Sequence, residues 1–332
     1  MIIFNEIDVQ TFLNEYWQKK PLLIKQALPN FISPISPDEL AGLSLEENFE
    51  SRIIIGENDN WLLKTGPFTN DTFKKLPQKN WTLLVQGVDR WVDEVADLIK
   101  EFDFIPRWRF DDVMMSYASI GGSVGPHFDF YDVFLLQTSG KRRWSLTSKN
   151  CELENYLENV DCRIMKNFEA EDVFDVEVGD ILYIPPKIGH HGVSLSDDCT
   201  TMSFGYRSYS HDEMAEFLEQ KTSSKKYYQD PIWQNKKPAF IPKSAIDNSK
   251  MTTDEFGCFV TKLDLFDVKN LQDEGFDIQD CFNSKPYSLS PSCKIAYVGD
   301  ENNLIIFLNG EKFIIEQKNA KIMMDFCNNR FK

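Results

Sequence analysis

Apolar residues fall at Val9, Phe12, Leu13, Tyr16 and Trp17, the i, i+3, i+4, i+7, i+8 spacing of one helix face. This predicts an amphipathic helix over residues 7–20, stopped by Pro21, then a short buried strand, Leu22-Leu23-Ile24. Residues 28–50 begin Pro-rich and hold a small helix near 37–43. Two strands are predicted around 52–55 and 81–86. A helix follows from about 89 to 102, with Trp91, Val95, Leu98 and Ile99 on one face.

From 111 to 207 the pattern becomes that of β structure. Strands are predicted at 112–119, 127–137, 142–147, 173–176, 180–184, 190–195 and 199–207. Turn signals separate them at Gly121-Gly122, Ser139-Gly140, Val178-Gly179 and Ser196-Asp197-Asp198. Many short strands at this spacing predict a sandwich or barrel. After 208 the chain turns helical, with Met214, Phe217 and Leu218 as a stripe within 211–220. Residues 221–253 are polar and broken by Pro231, Pro238 and Pro242, a loop-rich connector with one or two short helices. Near the end, 304–308 and 312–316 flank Asn309-Gly310, which suits a type I′ hairpin turn. A helix before and a hairpin at the end fit a small winged-helix-like module.

The chemistry concentrates in Gly125-Pro126-His127-Phe128-Asp129. On a predicted strand, His127 and Asp129 project from the same face and can share one metal. A 2-His-1-carboxylate site needs a second His from a distant strand, and only His190, His191 and His211 remain. His211 opens a helix. His190 and His191 follow an apolar strand that a Gly179-Asp180 turn opens and Pro185-Pro186 closes. Neighbouring strand residues face opposite ways, so only one of the two can ligate. This Gly…Pro…His layout resembles the second motif of the cupin superfamily. A lone His is more often a core or surface residue, but HxD followed about sixty residues later by this segment is far more specific. Lys141-Arg142-Arg143-Trp144 adds a basic element, read as lying on the strand antiparallel to 127–137. An Arg reaching inward from it can grip a dicarboxylate by a bidentate fork.

Composition narrows the class. The 332 residues include 52 acidic and 36 basic ones, for a net charge of −16. Seven scattered cysteines contain no CxxC pair and read as reduced thiols rather than a disulfide framework or zinc ribbon. No apolar run approaches the ~18 residues of a membrane span, and the first residues lack a signal-peptide pattern. A soluble cytoplasmic protein without membrane contact is the expectation. The acidity argues against general nucleic-acid binding; it suits a basic partner, or serves solubility alone. The last module, 251–332, holds nine basic against thirteen acidic residues, so direct DNA binding is not expected.

Three stretches carry a family resemblance: Asp112-Val113-Met114-Met115-Ser116-Tyr117, the run from Gly121 through His127 and Asp129 to Gln137, and Gly140-Lys141-Arg142-Arg143-Trp144. Together they resemble the bacterial JmjC-type ribosomal oxygenases, and within them the arginine-hydroxylase group acting on large-subunit ribosomal protein sixteen. Tyr16-Trp17-Gln18-Lys19-Lys20-Pro21-Leu22 is similar to that family's lead-in, and Tyr228-Gln229-Asp230-Pro231 to its connector. The resemblance implies a double-stranded β-helix (jelly-roll, cupin) catalytic domain with a helical lead-in over 1–207. It implies a helical connector over 208–255 that forms a homodimer, and the winged-helix-like module over 256–332. It implies Fe(II) held by His127, Asp129 and His190, with 2-oxoglutarate and dioxygen as cosubstrates. Arg142 takes the basic position that binds the distal carboxylate of 2-oxoglutarate, with Ser116 as an added hydroxyl, and Arg143 points away. The implied activity is hydroxylation of a basic large-subunit ribosomal protein, at an arginine β-carbon or, alternatively, a histidine. The competing classes are a non-oxygenase metal-dependent cupin and a regulator built on an inactive barrel.

Overall fold

The computed structural model describes residues 2–57, 60–158, 160–221, 224, 226–233, 237–275 and 289–329. They divide into two compact units, Met1–Val88 with Asp112–Tyr206, and Asp89–Asp111 with Arg207–Lys332. Among the described residues no helix is long and apolar enough to cross a membrane.

The first unit opens with α1 (Val9–Glu15), capped by the Asp8 carboxylate on the Thr11 N–H at 2.7 Å. It continues through β1 (Leu22–Ile24), α2 (Pro37–Leu43), β2 (Ser51–Glu57), β3 (Asn60–Thr65), α3 (Asn70–Lys74) and β4 (Trp81–Val85). In α2 a Ser36–Glu39 capping box and Pro37 in the first turn fix the start. The chain then leaves this unit for α4 (Asp93–Leu98) and returns along β5 (Phe110–Ala118). Six strands complete it: β6 (Asp132–Ser139), β7 (Lys141–Thr147), β8 (Asp172–Glu177), β9 (Ile181–Ile184), β10 (Gly189–Ser194) and β11 (Cys199–Tyr206).

These strands form two sheets. Eight strands run in the order β1-β9-β6-β11-β5-β4-β2-β3, and three in the order β10-β7-β8. Val133, Leu135, Leu182 and Ile184 of the large sheet pack against Trp144, Leu146 and Val176 of the small one. The antiparallel, two-layered core is the jelly-roll architecture predicted. β6 is buried on both faces: its alternate residue Phe134 turns outward under α1, where Phe12, Trp17 and Tyr183 ring it at centroid distances of 5.7, 6.2 and 4.9 Å. The lead-in helix therefore seals the outer face of the large sheet with aromatic area.

The structure departs from two expectations here. Residues 127–131 are not a strand: His127 makes an isolated bridge and regular pairing begins at Asp132. Nor does β7 pair with β6; it pairs with β10 and β8, so the Gly140 turn carries the chain from one layer to the other. Gly140 adopts a φ of +63°, and a Cβ there would lie 2.2 Å from the Ser196 hydroxyl.

In the second unit, α5 (His211–Phe217) begins at a Ser210–Glu213 capping box. Then come α6 (Lys243–Ser249), α7 (Thr253–Val260), α8 (Leu265–Asp273), β12 (Ile295–Val298), β13 (Leu304–Leu308), β14 (Glu311–Ile315) and α9 (Gln317–Asn328). The expected hairpin is present, with Asn309 and Gly310 both at positive φ (53° and 85°) as a type I′ turn demands. The 89–102 segment is α4 flanked by 3-10 turns rather than one helix. A third strand, β12, and the closing helix α9 were not predicted, so the module is more than a helix and a hairpin. Cys281 and part of the connector lie outside the described residues.

Candidate functional site

His127, Asp129 and His190 converge without sharing a strand. Gly125 has a φ of +81°, and a Cβ on it would come within 2.3 Å of Ile164 Cδ1, so only glycine serves at this turn. The bend delivers His127 against β10, where its N–H donates to the His190 carbonyl at 3.0 Å and its carbonyl accepts the return bond from His190 N–H at 2.7 Å. Two residues on, the Asp129 carbonyl accepts from Lys187 N–H at 2.7 Å. Both ends of the HxD segment are thus riveted to the Pro-Pro-Lys-Ile-Gly-His turn.

The rings are oriented by their own backbone. His127 Nδ1 lies 2.9 Å from the Gly125 carbonyl, and His190 Nδ1 lies 3.0 Å from the Ile188 carbonyl. A carbonyl only accepts, so each Nδ1 carries the proton and each Nε2 is left with its lone pair. Asp129 Oδ2 sits 3.8 Å from His127 Nε2 and 3.5 Å from His190 Nε2. One donor atom from each of the three residues falls within 4.8 Å of the others. Burial and the neighbouring His127 pull the His190 pKa down to about 4, against the raising effect of Asp129, which keeps it neutral. Two imidazoles with bonded Nδ1 atoms and one carboxylate form a donor set that fits a facial 2-His-1-carboxylate iron site. His191 does not join them: its ring meets Phe168 edge-on at 5.9 Å.

Arg142 and Arg143 take opposite faces of β7. Arg143 is half exposed and makes a two-pronged pair with Asp175, both bonds 2.7 Å. Arg142 is 3% exposed, and its guanidinium carbon lies 5.6 Å from the Trp144 ring. Trp144 in turn lies 5.9 Å from the His190 ring. Gly192, opposite Trp144 in the ladder, makes room for the indole, because a Cβ there would sit 2.7 Å from it. Two buried donors on this face, Arg142 Nη2 and Trp144 Nε1, have no hydrogen-bond partner among the described residues. Unmade hydrogen bonds of this kind are costly, and a carboxylate-bearing ligand is the chemistry that would satisfy them.

Ser116 is buried on β5, with its hydroxyl 3.4 Å from the Thr201 carbonyl, and it makes no bond to Arg142. Between them runs a polar line that motif reading missed. Thr201 Oγ1 donates to Gln137 Oε1 at 3.0 Å, Gln137 Nε2 donates to Cys199 Sγ at 3.2 Å, and Arg142 Nε donates to the same sulfur at 3.4 Å. The signal available was polar residues in strands that are otherwise apolar and buried. Asp112 is occupied by Gln86 Nε2 at 2.5 Å and Gly87 N–H at 3.1 Å, and Asp111, in the second unit, faces Lys294 at 3.5 Å. Phe130, which follows Asp129 in the chain, meets the Phe128 ring at 5.5 Å, and Tyr131 is exposed.

Comparison with known proteins agrees with this geometry. Residues 97–214 match the JmjC domain family. The chain is 40% identical over 224 residues to an Escherichia coli K12 protein named ribosomal protein uL16 3-hydroxylase. That match covers 66% of this chain and 59% of the relative. It is 42% identical over 205 residues to a probable ribosomal oxygenase of Haemophilus influenzae, covering 60% of this chain and 50% of the relative. The chain thus matches between half and three-fifths of these relatives' lengths. Among solved structures, E. coli YcfD superposes with a TM-score of 0.70 at 27% identity, over 98% of both chains. A YcfD structure described as a complex with cobalt and 2-oxoglutarate gives 0.66 at 27% identity, again over 98% of both. Residues 97–214 match the JmjC domain family, and the chain shares the fold of E. coli YcfD over 98% of its length.

Proposed function

We propose that this chain is an Fe(II)- and 2-oxoglutarate-dependent dioxygenase that hydroxylates a large-subunit ribosomal protein, at the β-carbon of an arginine. The observation that carries the reading is the pairing of two features on one sheet face. A two-histidine, one-carboxylate donor set stands beside a buried guanidinium whose Nη2 has no hydrogen-bond partner among the described residues. The relatives' names supply the ribosomal target.

In this reading His127 Nε2, Asp129 and His190 Nε2 hold the iron. Their Nδ1–carbonyl bonds fix the ring tautomers and directions before the metal arrives. Arg142 takes the distal carboxylate of 2-oxoglutarate, with Ser116 as a further hydroxyl, and Trp144 fills the space between Arg142 and His190. When bound, iron and 2-oxoglutarate would supply the oxidising chemistry for the hydroxylation. The protein supplies geometry and a dry interior, and no side chain is needed as a general base. Homodimerisation through 208–255, cytoplasmic action and the absence of direct DNA contact belong to the same proposal.

Intact-mass analysis of large-subunit ribosomal proteins from cells with and without the gene tests it. One ribosomal protein should lose a single oxygen on deletion, and fragmentation should place it on an arginine. An unchanged set of masses would remove the substrate assignment, and purified protein that forms no succinate from 2-oxoglutarate would remove the dioxygenase reading itself.

A further inference from the structure

The guanidinium of Arg142 is buried without a carboxylate. Its hydrogen-bond partner is the Cys199 sulfur at 3.4 Å, with the Trp144 ring 5.6 Å from the guanidinium carbon. Among the described residues it makes no ion pair, and its Nη2 has no acceptor. A buried charge normally brings its own counter-ion. Arg109 in the other unit does so, 3.1 Å from the buried Asp230. At Arg142 the protein instead provides a sulfur, which is a weak acceptor.

That sulfur is itself held in place. Gln137 Nε2 reaches it at 3.2 Å while also donating to the Ser139 carbonyl at 2.6 Å, and Gln137 Oε1 is fixed by Thr201 Oγ1 at 3.0 Å. The ladder between β6 and β11 shifts register at Thr200/Thr201, where Thr138 is the extra residue. This bulge brings Gln137 opposite Thr201 with Cys199 beside it. All four side chains are buried.

We propose that Cys199, seated by Gln137, is a positioning residue for the cosubstrate. It holds the Nε edge of Arg142 and leaves the Nη2 edge for the dicarboxylate. Because it is not a carboxylate, it directs the guanidinium without competing for it. The inference rests on the proposed role of Arg142 and goes further, for it states why a cysteine stands at this place.

The test is titration of 2-oxoglutarate into Fe(II)-loaded protein without oxygen, together with thermal unfolding of each variant in the absence of 2-oxoglutarate. Cys199→Asp gives Arg142 an internal counter-ion. It should raise the 2-oxoglutarate dissociation constant at least tenfold while leaving the unfolding temperature unchanged or higher. A merely structural cysteine would lower both affinity and unfolding temperature, and that result would overturn the proposal. Cys199→Ala removes the acceptor without adding bulk, and should weaken binding about threefold to tenfold, with Cys199→Ser restoring it. Wild-type affinity in Cys199→Ala would overturn the proposal even if the Asp variant did not fold. Arg142→Ala separates the two levels. If it loses 2-oxoglutarate while every Cys199 variant binds normally, the positioning role alone fails. If it binds normally, the role of Arg142 fails and takes this inference with it.

Discussion

His190 and His191 sit side by side, and their surroundings divide the work between them. The His190 ring is fixed by the Ile188 carbonyl and faces Asp129, whereas the His191 ring lies against Phe168. Alanine at His127, Asp129 or His190 should abolish stoichiometric Fe(II) binding, read as metal content after gel filtration, with little change in unfolding temperature. His191→Ala should keep its iron, and the reverse outcome would reassign the third ligand. The two arginines divide in the same way. Leaving a buried carboxylate without its charged partner costs roughly 3–5 kcal/mol, so Arg142→Ala should raise the 2-oxoglutarate requirement at least about a hundredfold. The half-exposed Arg143–Asp175 pair is screened by solvent and contributes little, and Arg143→Ala should leave that requirement within about twofold. Equal effects would contradict the facing of β7. The HxD pair and Arg142 were legible because short motifs mark them. Gln137, Cys199 and Thr201 were not, because their importance lies in contacts across strands sixty residues apart in sequence.

At the scale of elements, the hydrophobic pattern located β6 to β11 well and misjudged how the HxD segment is held. Alternation suggested a strand starting at His127, but Gly125 and Pro126 bend the chain, and two bonds to His190 do what a ladder would have done. Side chains still converge because the rivet, not the strand period, sets their direction. β3 escaped notice as an edge strand whose burial alternates weakly. The closing helix α9 was legible in principle: Ala320, Met323, Met324 and Cys327 repeat at i, i+3, i+4, i+7, beside a more conspicuous turn signal. Two glycines give opposite expectations. Gly42 lies inside α2 with nothing within 4 Å of an added Cβ, so Gly42→Ala should stabilise by about 0.5–1 kcal/mol. Gly192→Ala would drive a methyl to 2.7 Å of the Trp144 indole, between Arg142 and His190. It should lower the unfolding temperature and 2-oxoglutarate affinity together, as thermal unfolding and titration would show. Normal affinity in the Gly192→Ala variant would mean the indole does not shape the pocket.

For the whole molecule, the grouping of residues 89–111 with 207–332 has no signature in the sequence, because it is set by contacts between distant segments. Net charge is the opposite case, legible from the sequence alone, and it bears directly on the proposed partner. A chain with a charge of −16 attracts a basic ribosomal protein at distances beyond contact. That attraction is screened within ~10 Å at 0.1 M salt. Hydroxylation of a full-length basic substrate should therefore lose kcat/KM as sodium chloride rises from about 0.05 to 0.5 M, with the loss falling on KM. In the proposed reaction the iron and 2-oxoglutarate steps would take place at a largely enclosed site whose charges are less screened. Succinate formed in the absence of protein substrate should accordingly change little over the same range. Equal salt sensitivity of both rates would place the effect on cosubstrate binding. A flat response of the protein substrate would leave the acidity as a matter of solubility, with recognition resting on short-range contacts.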